Sequence, residues 1–81
     1  MDRIRQAARN KLAVLVSYHG SMHLVEPYSL RYPPTGNEIL HVWEIKKDGM
    51  TSEKPKSFKT SEINSATITD RAFTPKWAIE L

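Results

Sequence analysis

The chain has 81 residues, of which 40% are hydrophobic and 26% are charged, and it carries a net charge of +3 with no cysteine. A chain of this length buries one modest core, so length and composition exclude a second globular domain and a wholly disordered chain. The absence of cysteine excludes a disulfide framework, a thiolate metal site and a cysteine nucleophile, while the small positive charge favours anionic partners only slightly.

The first predicted element is a short amphipathic helix that begins at Asp2. Its apolar residues recur at the three-and-four spacing of one helical face and are Ile4, Ala7, Ala8 and Leu12. The remaining positions are rich in cations, namely Arg3, Arg5, Arg9 and Lys11. Cations on one short helix usually form a solvated polar face, and we favour that interpretation over contact with DNA phosphates.

The start of the chain also bears on location. Residues 1–4 place charges where a signal peptide needs an apolar run, and no stretch approaches the length of a membrane span. We therefore expect a cytoplasmic protein with no membrane partner.

Two strands follow the helix, because the hydrophobic period changes from helical to alternating. The β-rich run over residues 12–18 predicts the first strand, and a turn at residues 19–21 leads into a second strand over residues 22–26. Pro27 lacks a backbone N–H, so it predicts a bend or an edge position at that point. Alternation then resumes over residues 28–32.

Two further strands form a predicted hairpin after the proline-rich loop at residues 33–37. The third strand covers residues 38–46, and Asp48 and Gly49 give a strong turn signal. The fourth strand should then centre on Phe58.

The last part of the chain predicts one helical turn at residues 61–64 and a short strand over residues 66–69. The tail from Arg71 to Leu81 is irregular in pattern, although Phe73 and Trp77 can pin it to the domain. Short, evenly spaced strands without alternating helices predict an α+β, mainly β fold. We expect a small antiparallel five-stranded barrel preceded by one short amphipathic helix.

A series of short motifs accompanies these elements. Tyr18 ends the first strand, and the later members are His23, Val25-Glu26-Pro27, Glu38-Ile39-Leu40, Lys56-Ser57-Phe58, Ile63 and Phe73-Thr74-Pro75. In this order the motifs resemble the WYL domain family, known chiefly as a ligand-sensing module of bacterial transcription regulators. The resemblance covers residues 2–75 and implies an SH3-like or Sm-like barrel domain over residues 1–75, with a short C-terminal tail at residues 76–81.

Some positions depart from the family pattern. Glu38-Ile39-Leu40 keeps only the leucine of the Trp-Tyr-Leu name motif, and His23 stands where an arginine is commoner. Glu62 replaces an arginine expected before Ile63. These replacements remove part of the family's cationic ligand pocket.

The resemblance and the residue types together predict binding of an anionic ligand, either a nucleotide or single-stranded nucleic acid. Charge-assisted donors on a sheet bind phosphates and carboxylates, and aromatic rings stack on bases. The expected ligand-binding residues are His23, Arg31, Lys56, Tyr18, His41 and Trp43. Lys56 and Lys59 have opposite strand parity, so only one of them can line the pocket, and we favour Lys56.

Each of these residues also has an ordinary structural explanation. Lysines beside a hairpin turn usually face solvent, and a histidine on a half-buried strand is usually a surface or hydrogen-bonded residue. A domain this small needs Tyr18, Trp43 and Phe58 for its core, and we favour that role over stacking on a ligand.

Metal and catalytic sites are not indicated by the sequence. His19 and His23 flank a turn with Glu26 nearby, but no third ligand in a defined geometry is signalled, so we predict no metal site. The chain has no nucleophile elbow, phosphate loop or zinc-protease helix motif. We therefore expect a non-enzymatic domain without a cofactor.

Two hypotheses for function remain open. The leading one is a regulatory domain in transcription that senses an anionic ligand. The competing one is a protein-interaction or dimerisation module with a vestigial ligand site, which docks on a protein partner or forms a homodimer through Trp43, Tyr28 and Tyr32. The missing tryptophan and tyrosine of the name motif favour the second. Added salt separates the two, because it weakens nucleic-acid binding steeply and an aromatic interface hardly at all.

Overall fold

The computed structural model describes residues 1–81 as one α-helix and five β-strands. In chain order these are α1 (Asp2–Arg9), β1 (Leu12–Tyr18), β2 (Ser21–Arg31), β3 (Ile39–Lys47), β4 (Met50–Lys59) and β5 (Ile63–Ala72). A short 3₁₀ helix at Thr60–Glu62 joins β4 to β5. The prediction of a mainly β domain with five antiparallel strands and one leading helix is confirmed. The structure contains no helix with the length and apolar character that crossing a membrane requires.

All five strands belong to one antiparallel sheet in the order β4-β3-β2-β1-β5. β4 and β5 form the two edges and do not pair with each other, so the sheet is open and closure into a barrel is not confirmed. The sheet is nevertheless strongly curled, because the ring centroids of Phe58 on β4 and Tyr18 on β1 are 4.6 Å apart. Flat strands spaced about 4.8 Å from one another would hold these rings much farther apart.

The hydrophobic core lies on the concave face of the sheet and is covered by α1. It contains eight buried residues: Ile4, Ala7, Val14, Val16, Val25, Leu40, Val42 and Phe58. Ile4, Ala7 and Ala8 belong to the predicted apolar face of the helix, and all three are buried. The helix ends because Lys11 adopts a left-handed backbone with a φ of 52°. Leu12, predicted on the same helical face, instead begins β1 and is half-buried.

Pro27 lies inside a continuous central strand and marks a β-bulge there. Pro27 is opposite Val42 on β3 and Ser29 is opposite His41, so Tyr28 is the extra residue. A bulge tolerates a residue without a backbone N–H, which explains how proline fits between two paired neighbours. Tyr28 lies on the same convex face as Glu26, as strand alternation requires, and the C-terminal residues lie there too. The bulge instead keeps Leu30 on the concave face, opposite Leu40.

Residues 73–81 cover part of this convex face. Tyr28 is fully buried beneath them, with its ring stacked on Trp77 at 4.1 Å and edge-on to Phe73 at 6.0 Å. The backbone N–H of Glu80 donates to the carbonyl of Tyr28 at 2.7 Å. β5 runs farther than the predicted short strand, and Phe73 and Trp77 pin the segment that follows it.

Candidate anion-binding site

A buried hydrogen-bonded pair joins β2 to β3 at one end of the core. His23 donates from ring atom Nδ1 to Oε1 of Glu44, and the two side chains are 4% and 0% exposed. Ser52 on β4 donates its hydroxyl to Oε2 of the same carboxylate at 2.5 Å. Each carboxylate oxygen therefore has a donor, as buried polar groups generally require.

The pKa of Glu44 lies below its usual value of 4.5. Burial on its own raises the pKa of a carboxyl group, but the hydrogen bonds from Ser52 and His23, with the nearby charge of Lys56, outweigh it. Glu44 is therefore an anion at neutral pH although no part of it meets solvent.

The turn after β3 is fixed against β2 by Asp48. Its carboxylate accepts from the backbone N–H of Met22 at 2.9 Å, and its own N–H donates to the carbonyl of Met22 at 2.7 Å. The bond from Met22, followed by one from Ser21, lowers the pKa of Asp48. These reciprocal bonds hold the preceding residue, Lys47, opposite His23 in the pairing of β2 with β3.

The ring of His23 forms one wall of a small cavity of about 150 Å³, which we call the inner cavity. Phe58 also lines this cavity and packs edge-on against the His23 ring, with centroids 5.0 Å apart. Nδ1 of His23 is committed to Glu44, whereas Nε2 has no hydrogen-bond partner in the protein. Every fully buried side-chain nitrogen or oxygen has a partner, so Nε2 keeps accessible surface where His23 lines the cavity.

Two lysines without ion-pair partners share the inner cavity with this nitrogen. Lys47 and Lys56 both line it, and neither lies within ion-pair distance of a carboxylate. His19 lines the cavity as well, but its ring is bound to Glu62. An anionic group placed in the inner cavity would meet two free ammonium groups and the Nε2 atom of His23.

A larger depression of about 440 Å³, which we call the outer cavity, lies between the sheet and the C-terminal segment. Lys56 and Ser57 line both cavities, so the two adjoin at β4. His41 also lines the outer cavity and shares a hydrogen bond of 3.0 Å with Ser57. Trp77 contributes a ring that is 44% exposed, and Arg31 contributes a guanidinium that pairs with the side-chain carboxylate of Glu80.

The structure divides the predicted ligand-binding residues between the two cavities. Tyr18, His23 and Lys56 meet at the inner cavity. Arg31 and His41 line the outer cavity, where Lys56 joins them. Arg31 does not join His23, because the two residues lie toward opposite ends of β2.

The predicted aromatic residues also lie in different places. Phe58 is in the core as favoured, and Tyr18 packs against it while partly buried. Trp43 is not in the core and lines neither cavity, contrary to the interpretation that we favoured. Its ring is edge-on to Trp77 at 6.3 Å, and the ammonium of Lys76 lies 5.0 Å from its centroid. The reason is strand alternation, since β3 buries Leu40, Val42 and Glu44 on the concave side.

A buried carboxylate holds the C-terminal segment on the convex face. Glu26 accepts the hydroxyl of Tyr28 at 2.6 Å and pairs with the ammonium of Lys76 at 2.9 Å. Burial, and next the hydrogen bond to Glu26, raises the pKa of Tyr28 to about 12. The backbone N–H of Lys76 donates to the same hydroxyl at 3.0 Å.

Residues 73–81 cover part of the aromatic surface of Trp43, Tyr28 and Tyr32 that was expected for a protein-interaction module. Tyr28 is fully buried and Trp43 is half-buried, whereas Tyr32 is 74% exposed. A partner can reach Tyr28 only by displacing residues 73–81.

Lys47 and Trp77 are two cavity-lining residues with a role in the site that were not among the predicted ligand-binding residues. The Asp48 turn gave no signal for Lys47, because it pairs that residue with Met50 on β4. The position of Lys47 opposite His23 comes from the register of β2 with β3. Trp77 carried no local signal for a cavity position, because its position depends on packing against Tyr28, which is distant in the chain.

Histidine, aspartate and glutamate side chains do not come together in any group of three that could hold a metal ion. Comparison of the chain with protein-family models, with curated proteins and with solved structures finds no match. Function therefore has to be inferred from the geometry of the two cavities.

Proposed function

We propose that this protein is a non-enzymatic, WYL-like regulatory domain that senses an anionic ligand, either a nucleotide or single-stranded nucleic acid. One observation carries the proposal: the unpartnered Nε2 of buried His23 lines the inner cavity together with unpaired Lys47 and Lys56. In the imidazolium form both ring nitrogens donate, so His23 can bind Glu44 and a phosphate at the same time. The two ammonium groups supply further charge-assisted donors.

The volumes of the two cavities favour a ligand that occupies both of them. The inner cavity of about 150 Å³ is small beside the roughly 300–1,000 Å³ of sites that enclose a whole small molecule. It therefore suits one phosphate group, while the rest of the ligand extends past Lys56 and Ser57 into the outer cavity of about 440 Å³.

The outer cavity offers a stacking surface for a base. The exposed ring of Trp77 is the aromatic residue that lines it, so we assign the stacking role to Trp77 and not to Trp43 or Tyr18. Stacking of a base on an aromatic ring contributes about 1–3 kcal/mol and tolerates different bases. Arg31 and His41 remain polar neighbours at the same place.

The family-level part of the proposal rests on the order of the motifs. A leading helix followed by five antiparallel strands supports the WYL-like interpretation. An incompletely closed SH3-like or Sm-like barrel, in which β4 and β5 stay unpaired, a role in transcription regulation and a cytoplasmic location belong to the same proposal.

The test is the binding of a fluorescently labelled, mixed-sequence single-stranded oligonucleotide, followed by anisotropy at low and at physiological salt. Lys56→Glu should weaken binding roughly 10- to 150-fold, because it removes a charge-assisted hydrogen bond of about 1.5–3 kcal/mol and adds repulsion. Lys54→Glu is the matched control, since Lys54 lies on the same strand, is exposed and lines neither cavity.

The salt dependence provides a second criterion. Binding that neutralises phosphates should weaken as salt is raised, in proportion to the number of contacts. Equal loss of binding affinity in Lys56→Glu and Lys54→Glu would show that only the overall charge of the protein matters, and it would contradict the proposed site. Absence of binding at low salt would contradict the proposed function itself.

A further inference from the structure

The two edges of the sheet differ in how well they are protected against pairing with another strand. β4 carries Lys54, Pro55, Lys56 and Lys59, and Glu53 interrupts its regular backbone with a φ of 52°. Lysine, proline and local irregularity are the usual devices that stop an exposed edge from adding a further strand. β4 is therefore a protected edge.

β5 has none of these devices over most of its length. It is hydrogen-bonded to β1 on one side only, and residues 63–69 contain no charge, no proline and no glycine. The segment is rich in β-branched residues, which favour strand pairing, and its exposed members are Asn64, Ser65 and Thr67. Charged residues appear only at Asp70 and Arg71, near the end of the strand.

An apolar depression lies directly beside this open edge. It has a volume of about 430 Å³ between the start of α1 and β5. Its apolar lining consists of Met1, Ile4, Ile63 and Ala66, and its polar lining includes Asp2 and Arg3 at the rim of the helix. A strand that pairs with β5 could place a side chain there. The open edge and the depression adjoin each other, and neither shares a lining residue with the inner or the outer cavity.

We propose that β5 is a dimerisation edge that pairs antiparallel with β5 of a second copy of this chain, joining two sheets into one. An antiparallel pair about a two-fold axis places the uncharged segment opposite itself, so each backbone donor meets an acceptor without like-charge repulsion. The inference does not rest on the proposed ligand, because no residue of β5 lines either cavity.

The charges at the end of the strand select the register. A pair centred on Thr67 places Asp70 opposite Asn64 of the second copy, which an amide can accommodate by hydrogen bonding. A pair centred on Ala66 would place Asp70 opposite Glu62 of the second copy and set two carboxylates against each other. The register centred on Thr67 is therefore preferred to the one centred on Ala66.

The dimer should be weak and concentration-dependent. One strand pair with a small apolar contact buries less than the roughly 1,600 Å² of a standard stable interface. Sedimentation equilibrium over a wide range of protein concentrations is thus the appropriate measurement, with the wild-type chain shifting from monomer toward dimer as concentration rises.

Thr67→Lys tests the edge, because it places two lysines opposite each other at the two-fold axis. We expect dimerisation to weaken about fivefold, since like charges directly opposite each other destabilise a strand pair. Thr51→Lys on β4 is the matched control: Thr51 is also an exposed strand residue, and its substitution should leave dimerisation unchanged.

A charge-swap experiment distinguishes lost strand pairing from misfolding of the variant. An equimolar mixture of Thr67→Lys and Thr67→Glu chains should restore association as a heterodimer, which a misfolded variant cannot do. A wild-type chain that stays monomeric at every soluble concentration would overturn the proposal. So would a dimer that is unaffected by Thr67→Lys, or a mixture that fails to associate.

Discussion

Nδ1 of His23 donates to the carboxylate of Glu44 across two neighbouring strands, and this bond leaves Nε2 as the ring atom that is free at the inner cavity. The same contact therefore stabilises the core and orients the candidate binding group. Ser52 completes the arrangement from β4 by donating to the second carboxylate oxygen. Changes at Glu44 should affect both stability and binding.

Glu44→Ala should lower the free energy of unfolding by about 3 kcal/mol, because it leaves buried His23 and Ser52 without their acceptor. Urea denaturation monitored by circular dichroism measures the change. Asp70→Ala is the control, since Asp70 is exposed and forms no ion pair, and its effect should stay within about 0.5 kcal/mol. Equal effects of the two substitutions would show that the buried contact does not stabilise the fold.

The lowered pKa of Glu44 predicts a loss of stability in acid. The folded state holds this pKa below the usual 4.5, so its stabilising contribution is complete above about pH 4.5 and is lost as pH falls through the folded-state value. Glu44→Gln should flatten this part of the curve of unfolding free energy against pH. A variant with the same acid dependence as the wild type would refute the assignment.

The raised pKa of Tyr28 predicts a loss of stability in alkali. Its pKa is raised from 10.0 to about 12, so its contribution to stability is complete below pH 10 and is lost as pH rises through about 12. Ultraviolet absorbance of tyrosinate follows this ionisation directly. Tyr28→Phe should remove the step near pH 12, whereas Tyr32→Phe should leave that step in place.

Trp77→Ala should uncover Tyr28 and loosen the C-terminal segment. We expect a loss of about 1–3 kcal/mol of stability, from lost apolar burial and the lost stack at 4.1 Å. The pKa of Tyr28 should fall from about 12 toward 10.0, because burial is the main cause of its rise. Met50→Ala, at a side chain that is 75% exposed, should change neither quantity.

Local pattern was sufficient to predict the helix and the number and order of the strands, because the hydrophobic period and the turn residues act over a few positions. The bend or edge predicted at Pro27 was wrong, since β2 continues through it, and β5 begins within the helical turn predicted at residues 61–64. Local pattern did not predict that Trp43 faces outward, since two-sided alternation in β3 does not say which face is the core. The bulge at Tyr28 and the packing of Trp77 depend on pairing between distant segments.

The site was predictable to a similar extent. His23, Lys56 and Tyr18, three of the predicted ligand-binding residues, line one cavity. The sequence interpretation named them without their surroundings. It could not show that Glu44 holds the His23 ring, because a glutamate in an alternating strand has no distinguishing local signal. Nor could it show that Arg31 lies beyond reach of His23, which follows from the length of β2.

The most direct test of the central claim is a nuclear magnetic resonance titration of the histidine side-chain nitrogens with the four nucleoside 5′-monophosphates. We predict that the Nε2 signal of His23 shifts saturably, that Lys56→Glu removes this shift, and that Lys54→Glu retains it. A nucleotide that binds without moving the His23 signal, or a shift that survives in Lys56→Glu, would contradict the placement of the phosphate in the inner cavity.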